Sequence, residues 1–88
     1  MAQANVTIQN RLGLHARPAM SFVDIANGFI SQITVKKGPQ AVDGKSIMQM
    51  MMLAATQGTQ LAIEAQGPDA PAAITALRAL IDRKFDEE

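Results

Sequence analysis

From Asn5 to Gln9 apolar and polar residues alternate, Val6 and Ile8 against Thr7 and Gln9, which is the pattern of a half-buried strand. The spacing then changes. Between Pro18 and Asn27 the apolar residues Ala19, Phe22, Val23 and Ala26 fall along one stripe of a helix, and Asn27-Gly28 signals its end. Alternation returns from Ile30 to Lys37, with Ile33 and Val35 on one face and Gln32, Thr34 and Lys36 on the other. Gly38-Pro39 turns the chain into a short third strand, Gln40 to Val42, and Asp43-Gly44 ends it. Ser46 opens a second helix, and Ser46 with Gln49 fits a capping box in which the glutamine reaches back to the serine amide. Thr59 to Ala65 alternates as a fourth strand, with Leu61, Ile63 and Ala65 inward. After the Gly67-Pro68 loop, Asp69 is placed as the N-cap of a last helix with Pro71 in its first turn. Ile74, Leu77, Leu80 and Ile81 form that helix's buried stripe, Ala73 flanks it, and Arg83 and Lys84 suit its negative end. Phe85 is expected to cover the core edge, and Asp86-Glu87-Glu88 to fray as a solvated tail.

The element order is therefore βαββαβα. One-sided strands and one-striped helices pack most economically as two layers, which predicts an α+β fold: a four-stranded, mainly antiparallel sheet with three helices on one face. Residues 1–88 are expected to make a single domain. The order of strands across the sheet does not follow from the pattern.

The second helix departs from the usual amphipathic design. From Ile47 to Ala55 the only polar residue is Gln49. Met50 and Leu53 share a row and are assigned to the core. Ile47, Met48 and Met51 then project as an apolar patch in water, the mark of a partner-docking surface, and methionine suits such a surface because it repacks readily.

Charge narrows the function classes. Eight Lys and Arg balance eight Asp and Glu, so nothing in the net charge calls for nucleic acid or an anionic membrane as a partner. No apolar run approaches membrane-spanning length. With no cysteine and one histidine there is no metal-ligand set, and neither a metal nor another cofactor is expected. The absence of cysteine suits a reducing compartment, and Met1 to Asn5 has neither the charged nor the apolar region of a signal peptide, so a cytoplasmic location is expected.

The one stretch with chemical promise is Leu12-Gly13-Leu14-His15-Ala16-Arg17-Pro18. It holds the only histidine of the chain. A neutral imidazole is a competent nucleophile near pH 7. Pro18 places a helix start between Ala16 and Pro18, because proline is tolerated only in a first turn, and His15 then falls at or just before the N-cap. Backbone amides at a helix start attract anions, so Ala16 and Arg17 would form a phosphate cradle, with the Arg17 guanidinium matching phosphate oxygens. Gly13 allows a sharp turn before the histidine. His15 is thus a candidate phosphoryl acceptor; a plain surface cap is the alternative these seven residues leave open.

The run Gly13-Leu14-His15-Ala16-Arg17-Pro18-Ala19 resembles the active-site signature of the HPr family, the histidine-containing phosphocarriers of the bacterial phosphoenolpyruvate-dependent phosphotransferase system. The likeness runs from Val6 through the last helix and includes Lys45-Ser46-Ile47-Met48 and Gln57-Gly58-Thr59. The resemblance implies the family's open-faced sandwich with strands ordered first, fourth, second, third. It implies phosphorylation of His15 at Nδ1 by the first enzyme of the system, with Arg17 steadying the phosphate, and onward transfer to a downstream acceptor domain in sugar uptake or its regulation. Such a protein is a carrier and a monomer rather than an enzyme with its own turnover. In the family, the helical turn after the serine helps to dock donor and acceptor, and the serine itself is in many members the target of a dedicated kinase. The resemblance therefore marks Ser46 as a candidate regulatory phosphorylation site, with a serine kinase/phosphorylase and a transcription regulator as further partners, and leaves a mainly regulatory binding module as the alternative. Gln49, Met52 and Ala54 depart from the glycine, serine and glycine frequent at those positions. Arg11-Leu12-Gly13 and the Phe85-to-Glu88 ending resemble the nitrogen-related branch, NPr, whereas Lys45 to Met48 resembles the sugar-uptake and catabolite-control branch.

Overall fold

The computed structural model describes residues 1–86. The elements are β1 (Ala2–Thr7), α1 (Ala16–Ala26), β2 (Gln32–Lys37), β3 (Gln40–Asp43), α2 (Ile47–Met52), β4 (Gln60–Gln66) and α3 (Ala70–Asp82), followed by a short 3-10 turn at Lys84–Asp86. The four strands form one sheet in the order β1-β4-β2-β3, and every neighbouring pair is antiparallel. Both the α+β two-layer architecture and the strand order implied by the resemblance are found.

Alternation along the strands decides which face is covered. Ala4 and Val6 of β1, Leu61, Ile63 and Ala65 of β4, Ile33 and Val35 of β2 and Val42 of β3 are buried. Their sequence neighbours point to solvent, where Lys36 on β2 pairs with Glu64 on β4 at 3.0 Å. The apolar face receives Ala19, Phe22 and Ala26 from α1, Met50 from α2, and Ala73, Ile74, Leu77, Leu80 and Ile81 from α3 in one continuous core. Val23, placed in the α1 stripe, is only partly buried against that core. Phe85 is buried, brought back by left-handed backbone at Lys84 (φ 58°), Phe85 (57°) and Asp86 (61°).

Several boundaries differ from the sequence expectation, each for a local reason. The first strand begins at Ala2, not Asn5, because the small Ala2 and Ala4 pair with Ala65 and Ile63 of β4. The second starts at Gln32, not Ile30: the Ile30 and Ser31 amides donate to the Asp69 carboxylate at 2.9 Å each rather than to a neighbouring strand. Asp69 does occupy the N-cap position of α3, but its side chain makes no capping bond there. It accepts instead from those two amides and from the Ser31 hydroxyl. The Ser31 hydroxyl foremost, then the Ile30 amide, hold the Asp69 carboxyl below the ordinary aspartate range; partial desolvation opposes them and the Ser31 amide adds to them. Asp86 of the expected tail is solvent-exposed, and its carboxylate accepts from the Arg83 guanidinium at 3.0 Å. Glu87 and Glu88 lie outside the described residues.

The second helix is shorter than its apolar run. It ends at Met52, with Leu53 as C-cap, and Ala54 turns left-handed (φ 50°). Lys37 reaches across from β2 and donates through Nζ to the Leu53 carbonyl at 2.8 Å, which satisfies one of the exposed carbonyls of the helix end. Met50 and Leu53 are fully buried, as their shared row requires.

Candidate functional site

The loop between β1 and α1 is held close to the body of the protein by backbone bonds. Ile8 donates to the Thr59 carbonyl at 2.9 Å and accepts from Gly58 at 2.8 Å, which extends the β1–β4 connection past the strand. Gly13 then turns the chain with φ 72°, a conformation costly for residues with a Cβ. Space excludes a side chain there as well: a Cβ on Gly13 would collide with the Ala55 carbonyl and lie 2.9 Å from Thr56 Cα. The close approach is used, because the next residue, the buried Leu14, donates its amide to that same Ala55 carbonyl at 2.8 Å.

His15 follows as the N-cap of α1, with extended backbone (φ −84°, ψ −170°) and a half-buried side chain. Its carbonyl accepts from Ala19 at 3.0 Å, the first bond of the helix ladder. Its side chain makes no capping hydrogen bond to the first turn. Helix geometry leaves the first amides, those of Ala16 and Arg17, without an acceptor inside the helix. The third such position is Pro18, which has no N–H to satisfy and whose ring is buried. The exposed face of this helix start therefore consists of two main-chain donors and the exposed Arg17 side chain beside the only imidazole of the protein. Such a start attracts an anion through dipole, amides and guanidinium together.

The second set of predicted residues lies on α2. Ile47, Met48 and Met51 are 38%, 74% and 45% exposed, so the patch exists, and Met52 at 64% extends it. Ser46 is the N-cap of this helix and its Oγ accepts from the Gln49 amide at 3.2 Å. The reciprocal half of the expected capping box is absent. Gln49 Oε1 accepts instead from the Asp43 amide at 2.9 Å, tying the helix back to the end of β3. The Ser46 amide is already engaged with the Asp43 carbonyl at 3.1 Å, which leaves the glutamine free for the other partner.

One residue of the loop escaped the sequence reading. Asn10 is wholly buried, and its Nδ2 donates to the Gly13 carbonyl at 2.6 Å. The signal was present: Ala4, Val6, Ile8 and Asn10 continue one inward phase, and the last of them is polar. Among the described residues no cluster of His, Cys, Asp and Glu could hold a metal ion, and no helix is long and apolar enough to cross a membrane.

Comparison with known proteins gives the family and supports the fold. The family model described as the PTS HPr component phosphorylation site matches residues 2–83. The phosphocarrier protein HPr of Pseudomonas aeruginosa is 47% identical, over 99% of this chain and 98% of its own. The phosphocarrier protein NPr of Proteus mirabilis is 45% identical, over 94% and 93%. Among solved structures, HPr-C-His from Thermoanaerobacter tengcongensis superposes with a TM-score of 0.97 at 46% identity, covering 100% of this chain and 99% of that one. A structure of the same bacterium's HPr described as a dimer matches with a TM-score of 0.80 at 46% identity, covering 99% and 100%. The chain belongs to the HPr family of phosphocarriers of the phosphotransferase system. As a phosphocarrier it is not an enzyme, and its partners are other proteins of that system.

Proposed function

We propose that His15 is the residue that carries the phosphoryl group, through Nδ1, and that the Ala16 and Arg17 amides with the Arg17 guanidinium hold the phosphate oxygens. The single observation that supports this most is the helix start itself: the imidazole stands at the positive end of α1 without serving as its cap. In the forward step the ring nitrogen lone pair attacks the phosphorus carried by the donor enzyme. A P–N bond forms, the donor's bond to phosphorus breaks, and its electrons return to the donor. In the second step a nucleophile of a downstream acceptor domain repeats the exchange on phosphohistidine. The carrier needs no base for either step, since a neutral imidazole attacks through a lone pair.

Ile47, Met48 and Met51 serve as the docking patch for donor and acceptor, in sugar uptake or its regulation, and the carrier works as a monomer of one domain, residues 1–88, in the cytoplasm. The exposed, flexible methionines support a surface that meets more than one partner in turn. Ser46 is the candidate for regulatory phosphorylation by a serine kinase. Its hydroxyl lies at the edge of the same patch, so a phosphate there would change the charge that a partner meets.

The test is phosphorylation by phosphoenolpyruvate and the first enzyme of either branch of the system, sugar or nitrogen. The expected product is an acid-labile adduct in the wild type and none in His15→Ala. An equal yield from the two proteins would refute the assignment. An acid-stable phosphate formed with a serine kinase and lost in Ser46→Ala tests the second site.

A further inference from the structure

We propose that Asn10 is a positioning residue for phosphotransfer: it holds the loop under His15 and so sets where the imidazole stands relative to the Ala16 and Arg17 amides. This deepens the reading of His15 given above and rests on it.

Asn10 sits where the inward phase of β1 calls for an apolar residue, and it is wholly buried. Burying an amide is unfavourable unless its hydrogen bonds are made, and an aliphatic side chain would fill a core position without that penalty. The polar group is therefore tied to a bond, and that bond is specific. Asn10 Nδ2 donates to the Gly13 carbonyl at 2.6 Å, while the Asn10 carbonyl accepts from the Gly13 amide at 3.1 Å. The two residues thus close a turn twice, once through the backbone and once through the side chain. Arg11 and Leu12 at its tip are exposed and offer no anchorage from the core.

The same Gly13 carbonyl accepts a second donor, the His15 amide, at 3.0 Å. One oxygen therefore receives the side chain that rises from the core and the backbone of the proposed nucleophile. Gly13 is pressed against the Ala55 carbonyl and Leu14 is bonded to it, so the loop has few ways to relax if one tie is lost. Without the Asn10 donor the Gly13–Leu14 peptide plane is held from the core only by the Leu14 amide on the Ala55 carbonyl, so the Gly13 carbonyl can tilt about that bond and carry with it the His15 amide that donates to it. A misplacement of about 1 Å at a reacting atom is enough for a large loss of rate.

The test uses the full chain, phosphorylated by donor enzyme and phosphoenolpyruvate. Asn10→Leu keeps the bulk but removes the donor; Asn10→Ala removes the group altogether. The expected result is a fall in kcat of about tenfold, with KM changed by less than about twofold because the docking residues lie on α2. The His15 ring and amide resonances of the free protein should shift. Wild-type kcat with unmoved His15 resonances would overturn the proposal, as would a loss carried wholly by KM. Loss of the fold in both variants, seen as loss of cooperative melting, would overturn it in favour of a purely structural asparagine. His15→Ala in the same assay separates the two claims. If that variant still gains acid-labile phosphate, the His15 reading fails. If it is inert while the Asn10 variants transfer normally, only the Asn10 proposal fails.

Discussion

Helices α1 and α2 begin in opposite ways. At Ser46 the hydroxyl accepts from the Gln49 amide at 3.2 Å, the glutamine side chain reaches back to Asp43, and the helix start is closed by its own residues. At His15 the side chain makes no such bond, and proline fills the third orphan position with a residue that has no amide. The first design uses local side chains to satisfy the helix; the second makes no side-chain cap and sets an exposed arginine in its first turn. Their surroundings differ in the same sense. The α2 start leads into the exposed apolar side chains Ile47 and Met48, suited to a protein surface, whereas the α1 start leads into the exposed Arg17, suited to an anion. A capped helix can be a handle, and an uncapped one can be a socket. The two starts lie on helices that pack together, so on the proposed reading a partner that grips the first is brought to the second.

Arg17→Ala is expected to have the largest effect on this contrast. It removes the one formal charge from the α1 start and should slow phosphotransfer by about ten- to a hundredfold. Stability should change by less than about 0.5 kcal/mol, since the side chain is exposed. Stopped-flow or quench phosphorylation with a thermal melt checks both. Met48→Glu addresses the handle: affinity for the donor enzyme should drop about tenfold by titration, while the rate at saturating donor stays near wild type. If the two variants show the same kinetic signature, the division of labour between the helix starts is wrong. Ser46→Ala should lower stability by about 1 kcal/mol in urea unfolding through the lost cap, with His15 phosphorylation unchanged. The smallest effect belongs to the third helix start. Asp69 has its carboxyl held low by Ser31 and Ile30, so its folded value lies under the ordinary 3.8 of an unfolded aspartate. Its contribution is complete above 3.8 and is lost as the pH falls through the lower folded value. Acid unfolding of Asp69→Asn should therefore be less steep with pH than that of wild type across that range.

The boundaries that sequence patterns placed correctly are those set by local chemistry. Proline in a first turn located the start of α1 to within a residue, and the alternation of Leu61, Ile63 and Ala65 located β4. The failures come where a side chain chose a distant partner over a near one. Gln49 was expected to close on Ser46 and closes on Asp43. Asp69 was expected to cap its own helix and instead serves Ile30 and Ser31, 39 and 38 residues away, which also takes Ile30 out of β2 and leaves it 80% exposed. Spacing along the chain carries no trace of such choices, because both partners are polar and either bond would satisfy them. The helix start proposed as the phosphate cradle is legible because it is built from consecutive residues. The support beneath it is not, because Ala55 and Gly13 are far apart in the sequence and meet only in the fold.

That last meeting has a consequence for synthesis. The strand before the histidine finds its partner in β4, from Ala2 against Ala65 to Thr7 against Gln60, so the two halves of the pairing emerge from the ribosome far apart in time. Until the second half appears, β1 lacks its only strand partner in the sheet, and closing so large a loop carries an entropic cost. A product truncated before β4 would carry the whole signature motif without the strand that β1 pairs with.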